Sequence, residues 1–141
     1  VISGKDLERL KNELVAPDCS IDMNLAPGLK DWRRFNLSLR NELVKLRAAR
    51  KKADPLKYLR GDAYASVSVT HTAASAYRNH NILEAEKMLD SERWRMLDES
   101  ARGHYFDIVA LAVYALKLKI LLRWDKIHNS DKARLLEEAL K

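Results

Sequence analysis

The sequence predicts an all-α protein: a single-domain bundle of six to seven helices with a central apolar helix at about 107–127. Three observations carry that expectation. The 141 residues contain only four Gly and three Pro, so uninterrupted segments are long. Apolar residues recur at three- and four-residue spacing through most of the chain. Capping residues stand ahead of several of those stretches.

The elements follow in order. Ser3-x-x-Asp6 has the form of a capping box, with Leu7, Leu10 and Leu14 at helical spacing behind it and Pro17 as the stop. Residues 17–28, "PDCSIDMNLAPG", read as a loop. Residues 1–28 are therefore set apart as an N-terminal helix and loop, the remnant of a missing upstream portion, from a bundle domain over 29–141.

A long helix is expected from about Leu29 to Ala53, because Trp32, Phe35, Leu39, Leu43 and Leu46 form one stripe. Asp54-Pro55 is a stop and restart, with Asp as cap and Pro at the first helical position. Residues 56–60 add one turn, which Gly61 closes. In 63–78, "AYASVSVTHTAASAYR", Val67 to Thr70 alternates like a strand. The Ala content favours a helix, with Tyr64, Val67, His71, Ala74 and Tyr77 on one face.

Asn81-x-x-Glu84 is a second capping box, opening a short helix with Ile82, Ala85 and Leu89. Asp90 or Ser91 is expected to start the next helix after a tight corner, with Trp94 and Leu97 on its buried side and Gly103 as its end. Asp107 caps the apolar helix, with Phe106 placed to staple onto Leu111. Asn129-Ser130 then restarts a last helix over 132–140.

Formal net charge is +6. Segment 40–60 holds eight Lys or Arg against Glu42 and Asp54, so the excess is local. Arg40, Arg47, Arg50, Lys51 and Lys52 lie largely off the apolar stripe and are the candidate partner-binding residues. Such a face suits an acidic protein, nucleic acid or an anionic lipid surface.

No catalytic site, cofactor site or metal site is expected. His71, His80, His104 and His128 do not pair at ligand spacing, and Cys19 has no second Cys. Ser68 and His71 lack a Gly-rich turn for an oxyanion hole. No phosphate-cradling glycine motif occurs. The apolar run 108–122 is shorter than the roughly 20 residues of a membrane span, so no membrane insertion is expected.

"FNLSLRNELVKLRAARKKADPLKYL" (35–59), "NILEAEKMLDSERWRMLDE" (81–99) and "GHYFDIVALAVYALKLKILLRWDKI" (103–127) together resemble a bacterial family of uncharacterised helical proteins. The genes of that family commonly accompany the V/A-type ATPase. The similarity covers roughly residues 30–141 and corresponds to the family's C-terminal half. "RNELVKLRAAR" with "ILEAEKMLD" is more distantly similar to the C/d subunit of rotary ATPases. The resemblance implies a non-enzymatic accessory, assembly or stalk-type component. Its expected partners are subunits of the ATPase peripheral complex, and its expected place is cytoplasmic, peripheral to the inner membrane. A basic module for nucleic acid or an anionic membrane is the alternative. The family offers no catalytic residues to carry over.

Overall fold

A computed structural model describes Gly4, residues 27–61 and residues 64–140. The expected first helix with Leu7, Leu10 and Leu14, most of the 17–28 loop, and Cys19 lie outside the described residues. Among those described, the fold is all-helical, with no strand. Four long α-helices lie within the described residues: α1 (Lys30–Lys51), α2 (Val67–Arg78), α3 (Ile82–Ser100) and α4 (Ile108–Ala139). Single 3-10 turns sit at Pro27–Leu29 and Pro55–Lys57.

The expected stripe of α1 is the core. Trp32, Phe35, Leu39 and Leu43 are buried, and Leu46 packs against them. α1 ends where Lys52 adopts a left-handed φ of 53°. Its N–H and that of Ala53 return to the carbonyls of Ala49 and Ala48. Asp54 caps the Pro55 turn through the Leu56 N–H at 3.0 Å, and Gly61 closes the segment with a φ of +58°. Buried polar groups of α1 hold the returning chain. Asn41 exchanges two hydrogen bonds with the Arg60 backbone, at 2.9 and 3.2 Å, and Ser38 donates to the Tyr64 carbonyl.

Residues 67–78 are helical, as expected, but the buried face differs. Val69, Ala73 and Ala76 point inward, while Tyr64, Val67 and His71 are exposed. Small alanines let α2 approach α1 and α3 closely, and the larger residues of the alternative face have no neighbour to cover them.

Two expected helix breaks do not exist, which lowers the helix number below six to seven over this region. No corner occurs at Asp90-Ser91, because α3 runs unbroken from the Asn81 cap to Ser100. Asp90 is buried mid-helix and serves tertiary contacts instead of capping. Asn129-Ser130 does not restart a helix either. The Ser130 hydroxyl donates back to the Lys126 carbonyl and Asn129 donates to the Asp125 carboxylate, so neither side chain is free to cap.

The core has two parts, and α3 is shared by both. Phe35, Leu39, Leu43, Val69, Ala73, Ala76 and Leu89 join α1, α2 and α3. Leu29, Trp32, Leu97, Val109, Ala112, Val113 and Leu116 join the first turn, α1, α3 and α4. The apolar helix at 107–127 is thus not central, contrary to expectation. It packs on α3 and the Pro27–Leu29 turn, while Tyr114, Leu118, Leu121 and Leu122 remain exposed. Gly28 permits that packing, since a Cβ there would come within 2.9 Å of a Val109 methyl.

Asp107 caps α4 as expected, accepting the Ala110 N–H at 2.9 Å and a hydrogen bond from the His104 imidazole. The staple is absent because Phe106 is fully exposed. Trp94 is half-buried, not enclosed, with the Lys117 ammonium 4.8 Å above its ring. With 32 residues, α4 is about 48 Å long against about 28 Å for α3. Beyond Trp124 its described side chains are mostly exposed, so its C-terminal part overhangs the bundle.

Candidate functional site: a cation-rimmed groove

The last turns of α1 and α2 and the first turns of α3 converge on a groove of about 620 Å³. Its floor is Leu43, Ala76, Ala85 and Leu89. The small residues leave the depth, and the leucines belong to the core beneath. Arg47 and Arg50 form one wall, Arg78 and His80 the second, and Ile82 and Glu86 the third.

Local sequence sets this geometry. Asn79 accepts the Asn81 N–H at 2.9 Å, and Asn81 accepts the N–H groups of Leu83 and Glu84. The chain therefore reverses within three residues, bringing the end of α2 beside the start of α3 and next to the end of α1. Cations in a last helical turn also complement the helix dipole, which accounts for part of their placement.

The electrostatics are one-sided. No carboxylate among the described residues pairs with Arg47, Arg50 or Arg78. Glu86, the acid in the lining, is paired with Arg123 at 3.2 Å. Planar guanidinium groups over an apolar floor are built to take carboxylates bidentately while apolar side chains enter between them.

Of the sequence candidates, Arg47 and Arg50 meet in this groove. Lys51 and Lys52 are exposed at the end of α1 and do not line it. Arg40 is partly buried and donates to the Tyr58 carbonyl at 3.3 Å, so it ties down the following segment. Arg78 and His80 were missed. The signal was the Asn79–Asn81 turn, which predicts a reversal that folds a basic helix end back onto α1.

Glu86 of the lining pairs with Arg123, outside the lining. Ser68 and His71 are exposed on α2 and line different depressions. Among the described residues, no three His, Cys, Asp or Glu side chains are grouped to hold a metal ion. No helix among them is long and apolar enough to cross a membrane.

No curated protein and no solved structure matches the chain. Residues 66–139, more than half of its length, match DUF2764, a family described as proteins of unknown function. That region starts at the Ser66 cap of α2 and ends with the last residue of α4. With its second groove wall, its shared helix and its overhanging helix all inside the matched region, the chain belongs to the DUF2764 family.

Proposed function

We propose that this protein is a non-enzymatic accessory or assembly component of a V/A-type ATPase that docks an acidic segment of a partner subunit. The observation that carries the reading is the cation-rimmed groove. Three arginines without acidic partners among the described residues surround an apolar floor open to solvent. That combination fits an amphipathic acidic segment laid into a groove, a common peptide-recognition mode. The resemblance of 35–59, 81–99 and 103–127 to helical proteins encoded beside the V/A-type ATPase supports the choice of partner.

Affinity purification of the full chain from its native cells tests the reading. ATPase peripheral subunits co-elute with the wild type, and the variant Arg47→Glu, Arg50→Glu, Arg78→Glu loses them while folding normally. A second reading uses the same arginines for phosphate, on nucleic acid or anionic lipid. It takes over if no ATPase subunit co-elutes and the protein instead retains RNA, or binds anionic vesicles, with an affinity falling steeply with salt.

A further inference from the structure

We infer that Arg123 of α4 is a positioning residue for the groove: it holds the Glu86 carboxylate away from Arg47, Arg50 and Arg78, and so leaves their guanidinium groups open to the carboxylates of an acidic segment. The inference rests on the proposed docking of such a segment and adds a residue, outside the groove, that tunes it.

Glu86 is the carboxylate facing Arg47, Arg50 and Arg78 in the groove lining, where Glu86 and Ile82 form one wall. Its own helix offers it no partner. The positions three and four away on α3 are Ile82, Leu83, Leu89 and Asp90, so no cation shares its face and Asp90 adds a like charge one turn on. Two sources of positive charge remain. Arg47, Arg50 and Arg78 line the same groove, and Arg123 reaches over from α4. Glu86 is committed to Arg123, whose Nη2 donates to its Oε2 at 3.2 Å.

Asp90 sets that choice. An exposed ion pair is weak when two long side chains must be ordered to make it. Here the Arg123 guanidinium is already held, because it also donates to the buried Asp90 carboxylate, which accepts the Trp124 indole N–H as well. Arg123 does not line the groove, so its pairing with Glu86 occupies none of the docking surface. Without Arg123, the Glu86 carboxylate competes for the groove arginines with any incoming carboxylate and repels it. A docked α4 thus keeps the groove cationic, and loosening α4 at Asp90 quenches the groove from within.

The test is fluorescence anisotropy at physiological salt, with the full chain and a fluorescein-labelled amphipathic helix of Leu and Glu as the probe. The wild type should bind it, and the variant Arg47→Glu, Arg50→Glu, Arg78→Glu should not. Arg123→Ala should raise the dissociation constant about fivefold, the effect of one uncompensated charge close to the docked carboxylates. Lys126→Ala removes the same charge from the next turn of α4 and should stay within about twofold, since solvent and salt screen it. Glu86→Gln in the Arg123→Ala background should restore wild-type affinity while the melting point stays lowered. Glu137→Gln in that background removes an equal charge from the far end of α4 and should restore nothing. Affinity indifferent to Arg123→Ala overturns the inference. So does a loss that Glu86→Gln does not recover, which would make Arg123 only a fastener of α4, or a loss that Lys126→Ala reproduces. In each of these cases the groove itself stands if the triple reversal still abolishes binding. A wild type that does not bind the probe refutes the groove, and the role of Arg123 with it.

Discussion

Replacing Asp90 by Ala removes the polar hub that fastens α4 to the bundle. The Asp90 side chain is 5% exposed and accepts from Arg93 at 2.7 Å, from the Trp124 indole N–H at 2.9 Å and from Arg123. Arg93 reaches on to the Asn36 side chain of α1 at 3.2 Å, so one carboxylate links three helices. Stripping one partner from a buried ion pair costs about 3–5 kcal/mol. Arg123 is 44% exposed and rehydrates when freed, which discounts its share. Arg93, at 22% exposed, and the indole N–H recover less. The expected loss is therefore about 2–3 kcal/mol. For a domain of this size that corresponds to a melting point lower by about 10 °C. Urea unfolding followed by circular dichroism measures it, and hydrogen exchange should show the amides around 120–128 losing protection first. An Asp90→Ala midpoint within error of the wild type would refute the hub.

Other consequences are open to the same assays. Leu97, fully buried between α1, α3 and α4, should lose about 3–4 kcal/mol on Leu97→Ala. Trp94→Ala should cost only about 2 kcal/mol, because the ring is half-buried and the Lys117 ammonium above it keeps its ion pair with Asp98. The Asp107 carboxyl is held below its ordinary value, chiefly by the Ala110 N–H and then by the His104 side chain. A lowered folded value means that its contribution is present above about pH 4 and is lost as pH falls through the folded value. Asp107→Asn should accordingly flatten the acid limb of a stability-against-pH curve, and an unchanged limb would remove Asp107 from that role.

Local chemistry was legible where a residue acts on its own turn. Asp54, Asn81 and Asp107 cap their helices, though the Asn81 N–H goes to Asn79 and not to Glu84, so the expected box is only half made, and Trp32 to Leu43 face inward at the expected period. Asp90 was misread because an Asp amid helical residues normally marks a cap, yet its partners here lie 33 and 34 positions downstream. Asn129 and Ser130 misled for the related reason that their side chains bond back along the helix. The apolar character of 108–122 was plain, but composition does not distinguish a helix buried on all sides from one with an uncovered face. Half of the groove was visible as the basic run at Arg47 and Arg50. The other half, Arg78 and His80, comes from a different helix and needed the fold to bring it there.

The central claim is that the groove, and not basicity in general, engages the partner. It is tested most directly by comparing two variants in co-purification from native cells. Arg47→Glu with Arg50→Glu changes groove cations. Lys51→Glu with Lys52→Glu changes exposed cations on the same helix end outside the groove. Both reverse two charges, and both should fold normally, since exposed substitutions usually shift stability by no more than about 0.5 kcal/mol. The groove pair should lose the ATPase peripheral subunits, and the lysine pair should retain them at close to the wild-type level. Equal loss in both, or retention in both, would contradict the account.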